Sequence, residues 1–430
     1  MKQLAINLLK NRAKAIISKF QPKIVAVTGS VGKTSAKSAI ELVLSKKYQV
    51  RTAEKNYNNE FGVPFTILGV KNPGKSVFAW LSVFWRSYRI KSYPEILVLE
   101  YGVDKPGDID YLCDIAQPHV GVVTAVSSVH AEFFDDIDAL AAEKARLIEN
   151  LPDDGTAIFN VDDIRVLKMQ DQTIAKVKTF GLQSEEISAQ NIEVSARKDD
   201  NFEPGEIFIV TQAEITKQGA VIGKLRLKNV IGYAPVMSCL AALSVAEVFE
   251  IDSQVAIDAL NRSMTAAPGR LNPIAGIKGS LIIDDSYNAA PAAMQNGLKI
   301  LSSMDPGEEY DRRIAALGSM AELGQYTQDE HRMIGLQVAE YADLFIAVGE
   351  NMKTAVEAAK EAGMDRDHIE WFADSIEAGR HLDQNIQQGD IVYVKGSQSS
   401  RMERVVKDLM AEPLRAEELL VRQEAKWLEQ

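Results

Sequence analysis

The chain has 430 residues, of which 46% are hydrophobic and 25% charged, a composition typical of a folded protein with more than one domain. Its formal net charge of -12 and isoelectric point near 5.1 argue against general binding to nucleic acid, because a phosphate backbone requires a basic surface. The two cysteines lack metal-ligand spacing, the N-terminal segment is polar, and no apolar run reaches the ~18 residues of a membrane span. These features predict a cytoplasmic protein with reduced thiols.

The predicted elements begin with an amphipathic lead-in helix within residues 1–22, where apolar residues recur at helical spacing. From residue 23 onward, apolar strands alternate with helical stretches, which is typical of an α/β fold with a mostly parallel sheet covered by helices. Residues of about 175–230 form short alternating runs instead and predict a small antiparallel excursion. A Pro-Gly turn then separates a second α/β series. We therefore predict a central domain over residues 23–268 and a C-terminal domain over residues 269–430.

A glycine-containing loop follows the first predicted strand and leads into a helix. Its residues are Thr28, Gly29, Ser30, Val31, Gly32, Lys33, Thr34 and Ser35. In such a loop, backbone N–H groups at the helix N-terminus hold phosphates, the lysine supplies a positive charge and the threonine hydroxyl binds Mg²⁺. Val27 stands where the general GxxxxGK[ST] pattern has its first glycine, so an ordinary βα turn is the alternative. The strand before the loop and the helix after it favour a nucleotide-binding site.

This loop and the segments after it resemble the Mur ligase family, in order, along nearly the whole chain. The segments are KNYNNEFGVP, LVLEYGVDKPGDIDYL, NVDD, PGR, DDSYNAAP, LGSMAELG and VKGSQSSRMERV, together with the spacing from His130 to Lys144. They look most like the branch that adds D-alanyl-D-alanine to a UDP-muramoyl tripeptide. The resemblance implies a central P-loop ATPase domain and a C-terminal Rossmann-like domain. It also implies an ATP-dependent ligase of peptidoglycan precursor synthesis, in which an amino-acid or dipeptide amine attacks an acyl phosphate.

The resemblance assigns the phosphoryl-transfer chemistry to particular residues. It implies catalytic roles for Lys33, Glu100, His130, Lys144 and Arg270. It further implies two Mg²⁺ ions, with ligands from Thr34, Glu100, His130 and Lys144, the last as a carbamate formed with CO₂. Carbamate formation needs a neutral amine, so the pKa of Lys144 must lie well below the ~10.4 of free lysine. Taken alone, Lys144 in AAEKARLIE predicts a surface lysine in an (i, i+4) pair instead.

The same resemblance implies contacts to nucleotide and substrates. Arg270 and Asp285 would bind the nucleotide. The implied substrate-binding residues are Asn58, Asn59, Tyr287, Asn288, Lys395, Ser397 and Arg401. Ala290 and Gln398 stand where the branch usually has asparagine and arginine, and the segment GYAPVMS replaces a Gly-x-His-Asn-x-x-Asn pattern. These departures concern the amine substrate and the adenine contacts more than phosphoryl transfer.

The identity of the acceptor stays open at the level of sequence. Members of this branch begin with an additional domain that binds the UDP-sugar, whereas the phosphate loop begins here near residue 28. UDP-muramoyl peptide could be bound without that domain, or a partner protein could supply it. Alternatively, the acceptor is another small-molecule, nucleotide-linked or lipid-linked peptide, as in a Mur-like ligase of another pathway. A non-catalytic ATP-binding scaffold is a further alternative.

Residues 76–90 are unusually aromatic. Apolar side chains recur there at helical spacing, at Val77, Trp80, Leu81, Phe84, Trp85 and Tyr88. One interpretation is a helix packed on the core or at an oligomer interface. The other is an interfacial helix, with Arg86, Arg89 and Lys91 nearby, that makes a peripheral membrane contact near a lipid-linked substrate. A segment of about fifteen residues is too short to cross a bilayer.

Overall fold

The computed structural model describes residues 2–53, 57–74, 76–127, 134, 136–197, 201–304, 312–424 and 427. The chain divides into two compact units. The first consists of Met1–Glu193, Gln212–Leu227 and Gly232–Met264, and the second of Val194–Thr211, Lys228–Ile231 and Thr265–Gln430. The second unit therefore includes short stretches that lie within the segment predicted as an excursion on the central domain.

The first part of the chain alternates strands with helices. Its helices are α1 (Lys2–Phe20), α2 (Lys33–Leu44), α3 (Gly62–Leu68), α4 (Val77–Tyr88), α5 (Asp108–Ile115), α6 (Ile137–Glu149), α7 (Ile164–Leu167), α8 (Tyr233–Val248) and α9 (Ser253–Ser263). Its strands are β1 (Lys23–Thr28), β2 (Val50–Thr52), β3 (Ile96–Glu100), β4 (Val120–Val123), β5 (Thr156–Asn160), β6 (Lys176–Phe180), β7 (Ile187–Ala196), β8 (Ile209–Lys217) and β9 (Ala220–Lys228).

These strands form one nine-stranded sheet in the order β2-β3-β1-β4-β5-β6-β7-β8-β9. The pairs from β2 through β6 are all parallel. β3, β4 and β5 are buried along their whole length, which explains their continuous apolar sequence, because helices cover both faces of such a sheet. The predicted α/β fold class is confirmed.

The antiparallel excursion begins later than the sequence pattern indicated. β6 still pairs parallel with β5, so the parallel sheet extends through residue 180. Side-chain hydrogen bonds join Ser188 to Thr216 and Ser195 to the Val210 carbonyl, which shows that β8 runs opposite to β7. A two-residue connection, Gln218-Gly219, then joins β8 to β9. The alternating pattern alone does not distinguish a parallel edge strand from an antiparallel one.

The lead-in helix α1 packs against the first unit through an apolar stripe. Leu9, Ala13 and Ile16 are buried in the same cluster as Val83 of α4 and Leu97 of β3. α1 and α4 therefore cover the same part of the sheet. In the described part of the chain, no helix has both the length and the apolarity needed to cross a bilayer.

The second part of the chain forms its own α/β unit. Its strands are β10 (Asn272–Ala275), β11 (Leu281–Asp285), β12 (Arg313–Gly318), β13 (Leu344–Val348), β14 (Ile369–Phe372) and β15 (Ile391–Lys395). Its helices are α10 (Pro291–Ser303), α11 (Thr327–Tyr341), α12 (Met352–Glu361), α13 (Ser375–Asn385), α14 (Glu403–Leu409) and α15 (Ala416–Leu419). The sheet order is β10-β11-β15-β12-β13-β14, and only β10 is antiparallel to its neighbour.

Polar residues stand at the carboxyl ends of the central strands in both sheets. Thr28, Glu100 and Asn160 end β1, β3 and β5 of the first sheet. Asp285 and Lys395 end β11 and β15 of the second, where they are register partners. Because parallel strands point the same way, these ends meet at one edge of each sheet, the edge at which open α/β folds bind ligands.

Candidate active site

The phosphate loop connects β1 to α2 and is held closely against the end of β4. The Thr124 hydroxyl donates to the Val31 carbonyl at 2.6 Å. A Cβ placed on Gly29 would lie 2.0 Å from that hydroxyl, so only glycine allows this approach. Gly32, which caps the N-terminus of α2, has a φ of 83°, a left-handed conformation that glycine adopts without strain. The sequence-predicted loop therefore leads directly into a helix N-terminus, where backbone N–H groups favour anions.

Two side chains of α2 lie at the mouth of this loop. The Lys33 ammonium donates to the carbonyls of Gly29 at 2.6 Å and Ser30 at 3.2 Å, so it curls back over the loop. The Thr34 hydroxyl donates to a carboxylate oxygen of Glu100 at 3.1 Å. Hydroxyl and carboxylate oxygens are the ligands that Mg²⁺ prefers, and this pair fits such an ion.

Glu100 is buried at the end of β3 and is surrounded by polar partners. Its other carboxylate oxygen accepts from the Asn58 amide at 3.3 Å, and the Lys37 ammonium lies 3.9 Å from the oxygen that faces Thr34. Burial lowers the pKa of Lys37, which also donates to the Ala53 carbonyl at 3.1 Å. Lys37 was not predicted from the sequence, because a lysine one turn after Thr34 looks like an ordinary helix-surface residue.

Lys144 lies on the buried face of α6. Its relative exposure is 4%, which excludes the surface (i, i+4) pair suggested by its local sequence. Burial, reinforced by the nearby Lys33 ammonium, lowers the pKa of Lys144 to about 7. The adjacent Glu143 carboxylate opposes this shift, while both of its oxygens also accept backbone N–H groups, from Gly107 and Ile109 at the start of α5. A lysine with this pKa is substantially neutral near pH 7 and meets the chemical requirement for carbamate formation.

The structure describes only some of the proposed metal ligands. Thr34, Glu100 and Lys144 all belong to the first unit. His130 lies outside the described residues, and its role stays a prediction. Among the residues that are described, no three His, Cys, Asp or Glu side chains converge as metal ligands. A second ion would therefore depend on a carbamate at Lys144 and on His130.

The NVDD segment, which begins at the last residue of β5, supports the loop beside the phosphate site. The Asn160 amide donates to the Thr124 carbonyl at 2.8 Å, and Asp163 accepts from the Val126 N–H at 2.7 Å. Asp162 accepts from the Tyr233 hydroxyl at 2.7 Å. Tyr233 belongs to the GYAPVMS segment, which departs from the family pattern. These supporting roles were not predicted, since they depend on neighbouring strands meeting in space.

Asn58 and Asn59, which precede α3, have different environments. Asn58 reaches Glu100, as described above, and its carbonyl accepts from the Gly102 N–H at 2.8 Å. The side chain of Asn59 instead accepts from the N–H groups of Phe61 and Gly62, at the start of α3. Asn58 is therefore close to the predicted metal ligands, whereas the Asn59 side chain binds the backbone that leads into α3.

In the second unit, Asp285 forms a buried ion pair with Lys395. The two side chains are 2.5 Å apart, and the Tyr393 hydroxyl also donates to Asp285 at 3.1 Å. Burial raises the pKa of Asp285, although the Lys395 charge opposes this shift. Lys395 further donates to the Asn288 carbonyl at 2.8 Å. Asp285 and Lys395, predicted to bind nucleotide and substrate respectively, are thus each other's partners in this structure.

The PGR turn is fastened to the DDSYN turn. The Gly269 N–H donates to Asp284 at 3.0 Å, and the Leu271 N–H donates to Asp285 at 3.2 Å. The guanidinium of Arg270 stacks over the Tyr287 ring, 4.4 Å from its centroid. Burial raises the pKa of Asp284 to about 6. Both aspartates therefore hold the backbone that carries Arg270.

Ser397 and Arg401 lie on the turn after β15. Ser397 is buried, and its hydroxyl is 3.0 Å from that of Ser400. Arg401 pairs with Glu403 at 2.6 Å and donates to the Trp427 carbonyl at 2.8 Å. Arg422 also pairs with Glu403, at 3.1 Å, and was not predicted because it belongs to none of the recognised segments. Arg401 thus has an acidic partner already in place.

His331 is a structural residue in this arrangement. It is fully buried, and its Nε2 accepts from the Met320 N–H at 3.1 Å. Nδ1 therefore carries the proton and donates to the Thr327 carbonyl at 2.7 Å. Burial lowers the pKa of His331, which favours the neutral ring that both bonds require.

We expect loss of the Lys395 charge to destabilise the second unit strongly. Lys395→Met leaves the buried Asp285 carboxylate without its cation and should cost about 3–5 kcal/mol in the free energy of unfolding. The double variant Asp285→Leu/Lys395→Met should recover much of that loss. Lys360→Met, which breaks an exposed pair with Glu357, is the matched control and should change stability by about 0–1 kcal/mol. Urea denaturation measures all three, and equal effects of Lys395→Met and the control would contradict the buried pair's role.

Together, the fold and the first-unit site define a phosphate-loop protein with a buried lysine, Lys144, close to the loop lysine Lys33. Comparison with known proteins agrees. The chain matches the Mur ligase middle domain over residues 27–236 and the Mur ligase, glutamate ligase domain over residues 269–398. It is 30% identical over 395 residues to the UDP-N-acetylmuramoyl-tripeptide–D-alanyl-D-alanine ligase of Escherichia coli, covering 90% of this chain and 76% of that protein.

Another ligase and two solved structures are similar to this chain over a comparable part of its length. The corresponding Bacillus subtilis ligase is 26% identical over 408 residues, which is 94% of this chain and 80% of that protein. The crystal structure of MurF from Acinetobacter baumannii superposes with a TM-score of 0.75 at 24% identity, over 94% of this chain and 79% of that chain. MurF from Thermotoga maritima in complex with ADP gives a TM-score of 0.72 at 24% identity, over 94% and 83%.

The chain therefore belongs to the Mur ligase family. It is an ATP-dependent ligase, as predicted, and its two-part α/β fold is that of the MurF structures.

Proposed function

We propose that this ligase joins D-alanyl-D-alanine to the terminal carboxylate of a UDP-muramoyl tripeptide, with conversion of ATP to ADP and phosphate. The carboxylate oxygen attacks the γ-phosphorus and ADP leaves. The dipeptide amine then attacks the acyl carbon, phosphate leaves, and the amine loses a proton as the amide forms. The similarity to ligases of that name over at least nine-tenths of this chain is the observation that carries the proposal.

The first-unit geometry supports the phosphoryl-transfer step. The helix N-terminus and the Lys33 ammonium provide positive charge beside the loop, where a nucleotide's terminal phosphates would lie. Thr34 and Glu100 would hold Mg²⁺, which neutralises charge on the transferring group when bound. Preorganised charges of this kind usually supply the largest part of such catalysis.

Lys144 supports the proposal through its burial. A neutral amine reacts with CO₂ to give an anionic carbamate, and the pKa of about 7 makes that amine available near neutral pH. The carbamate would supply anionic oxygens beside the phosphate loop. Such oxygens are ligands that Mg²⁺ prefers. Arg270, Asp285, Tyr287 and Asn288 of the second unit would contact nucleotide or substrates.

The direct test measures ADP release by the purified protein with Mg-ATP, UDP-muramoyl tripeptide and D-alanyl-D-alanine, with each component omitted in turn. We expect turnover that requires all three, and a product whose mass equals the tripeptide plus the dipeptide minus water. ATP binding with no turnover on this pair would contradict the proposed substrates. Replacing D-alanyl-D-alanine with L-alanyl-L-alanine is the matched control for the amine and should give little product.

A further inference from the structure

The outer face of α4 carries an exposed aromatic stripe. Phe78, Leu81, Trp85 and Tyr88 are 85%, 61%, 56% and 71% exposed. Their spacing of three or four residues places them along one side of the helix. The opposite side packs on the core, where Val83 is buried and Trp80 contacts Phe65. The helix is therefore already anchored in the fold, and the stripe is additional to its core packing.

Arginines lie against two of the rings of this stripe. The Arg12 guanidinium, from α1, lies 3.8 Å from the centroid of the Tyr88 ring. The Arg89 guanidinium lies 3.7 Å from the Trp85 ring. Within the described residues, neither these arginines nor Arg86 forms an ion pair with a carboxylate. By contrast, Lys10 and Lys14, also on α1, both pair with Asp114 and do not belong to this surface.

The charge around the stripe is opposite to that of the whole chain. The net charge of the chain is -12, yet no aspartate or glutamate precedes Glu41, and none occurs between Glu60 and Glu95. α1 and α4 lie entirely in these two segments. Asp114 of α5 lies beside α1, where Lys10 and Lys14 pair with it. Exposed charges are screened beyond roughly 8–10 Å at physiological salt, so the arginines beside the stripe contribute more to its local charge than distant acidic residues do.

We propose that the stripe and its flanking arginines, the α4 surface, bind an anionic lipid bilayer at its interface. Exposed aromatic rings enter the headgroup region and cations pair with lipid phosphates, which is the pattern of interfacial helices. α4 has 12 residues, or about 18 Å, so it lies on a bilayer of ~30 Å hydrocarbon thickness and does not cross it.

The charges argue against a second copy of the chain as the occupant. A symmetric dimer through this face would bring the same patch of both copies together. Arg12, Arg86 and Arg89 of the two copies would then face each other, and like charges at an interface oppose association. An anionic surface has no such conflict, and each arginine beside the stripe adds attraction to it.

Co-sedimentation with sucrose-loaded vesicles tests the proposal on the full chain. The wild type should bind vesicles of equal phosphatidylglycerol and phosphatidylcholine at least ten times more tightly than vesicles of phosphatidylcholine alone. Raising the salt concentration should weaken this binding. Phe78→Ser/Trp85→Ser and Arg86→Gln/Arg89→Gln should each weaken it by tenfold or more. Ile174→Ser and Leu414→Ser, which replace exposed apolar residues elsewhere, should leave it unchanged.

The proposal is overturned if the wild type fails to bind the anionic vesicles, or if the control variants lose binding equally. It is also overturned if light scattering shows a dimer that the aromatic variant splits while vesicles bind neither form. ADP release in vesicle-free solution should be the same for the aromatic variant and the wild type. The vesicle experiment therefore tests the lipid proposal, and the ADP-release assay tests the proposed substrates, independently of each other.

Discussion

Lys33→Ala should reduce ADP release by roughly 10²–10³-fold or more, because it removes the charge that lies over the phosphate loop. The Lys33 ammonium sits within hydrogen-bonding distance of two loop carbonyls, Gly29 and Ser30, and a nucleotide's terminal phosphates would meet it there. Alanine supplies no donor at this position. Initial rates of ADP release at saturating substrates, with the change in KM for ATP, measure the effect.

Lys46→Ala is the matched control, since Lys46 is an exposed lysine just beyond the end of α2. It should keep wild-type rates. Thermal unfolding of both variants should stay within a few degrees of the wild type, because neither side chain packs in the core. A Lys33→Ala enzyme with normal turnover would remove the loop lysine from the mechanism.

Lys144→Ala should lower activity by a factor on the order of 10², and a small carboxylate such as acetate or formate should restore part of it. The alanine variant leaves a space beside Lys33 that a free carboxylate can enter, replacing the anionic oxygens of the carbamate. Lys168→Ala, at an exposed position, is the control and should need no rescue. A fully active Lys144→Ala enzyme would end the carbamate proposal.

The pKa of Lys144 gives this proposal a pH dependence. It is about 7 in the folded chain, well below the pKa of a free lysine, so the buried amine becomes protonated as the pH falls through 7. Protonated lysine does not react with CO₂, and the carbamate should therefore be lost between about pH 8 and pH 6. After equilibration with carbon-13 bicarbonate, the wild type should show a carbamate NMR signal that declines over this range. A signal that persists in Lys144→Ala would place the carbamate elsewhere.

Several site features could be predicted from local sequence, and others could not. The loop from Thr28 to Ser35 was predictable, because strand, glycines, lysine and helix are adjacent in the chain. The α/β class followed from the alternation of apolar strands and helices. The buried environments of Lys37 and Lys144 were not predictable in this way, since each lysine sits in a sequence typical of a solvent-exposed helix. Only packing of α2 and α6 on the sheet removes these amines from water.

The second unit shows more clearly what local sequence cannot predict. The segments DDSYNAAP and VKGSQSSRMERV each indicated a site, and the resemblance assigned Asp285 and Lys395 separate ligands. Their direct pairing arises because β11 and β15, more than a hundred residues apart in sequence, are neighbours in the sheet. The sequence pattern of a strand does not indicate which other strand will lie next to it in the sheet.

By itself the sequence determined the family, the α/β class, the phosphate loop and the aromatic character of residues 76–90, because each depends on short segments or on their order along the chain. The tertiary structure decided which charges are buried, which carboxylates are already paired, and which side of α4 faces solvent. It did so because desolvation and Coulomb energy depend on distances in space, and folding brings together groups such as Thr34 with Glu100, or Arg12 with Tyr88, that the chain keeps far apart.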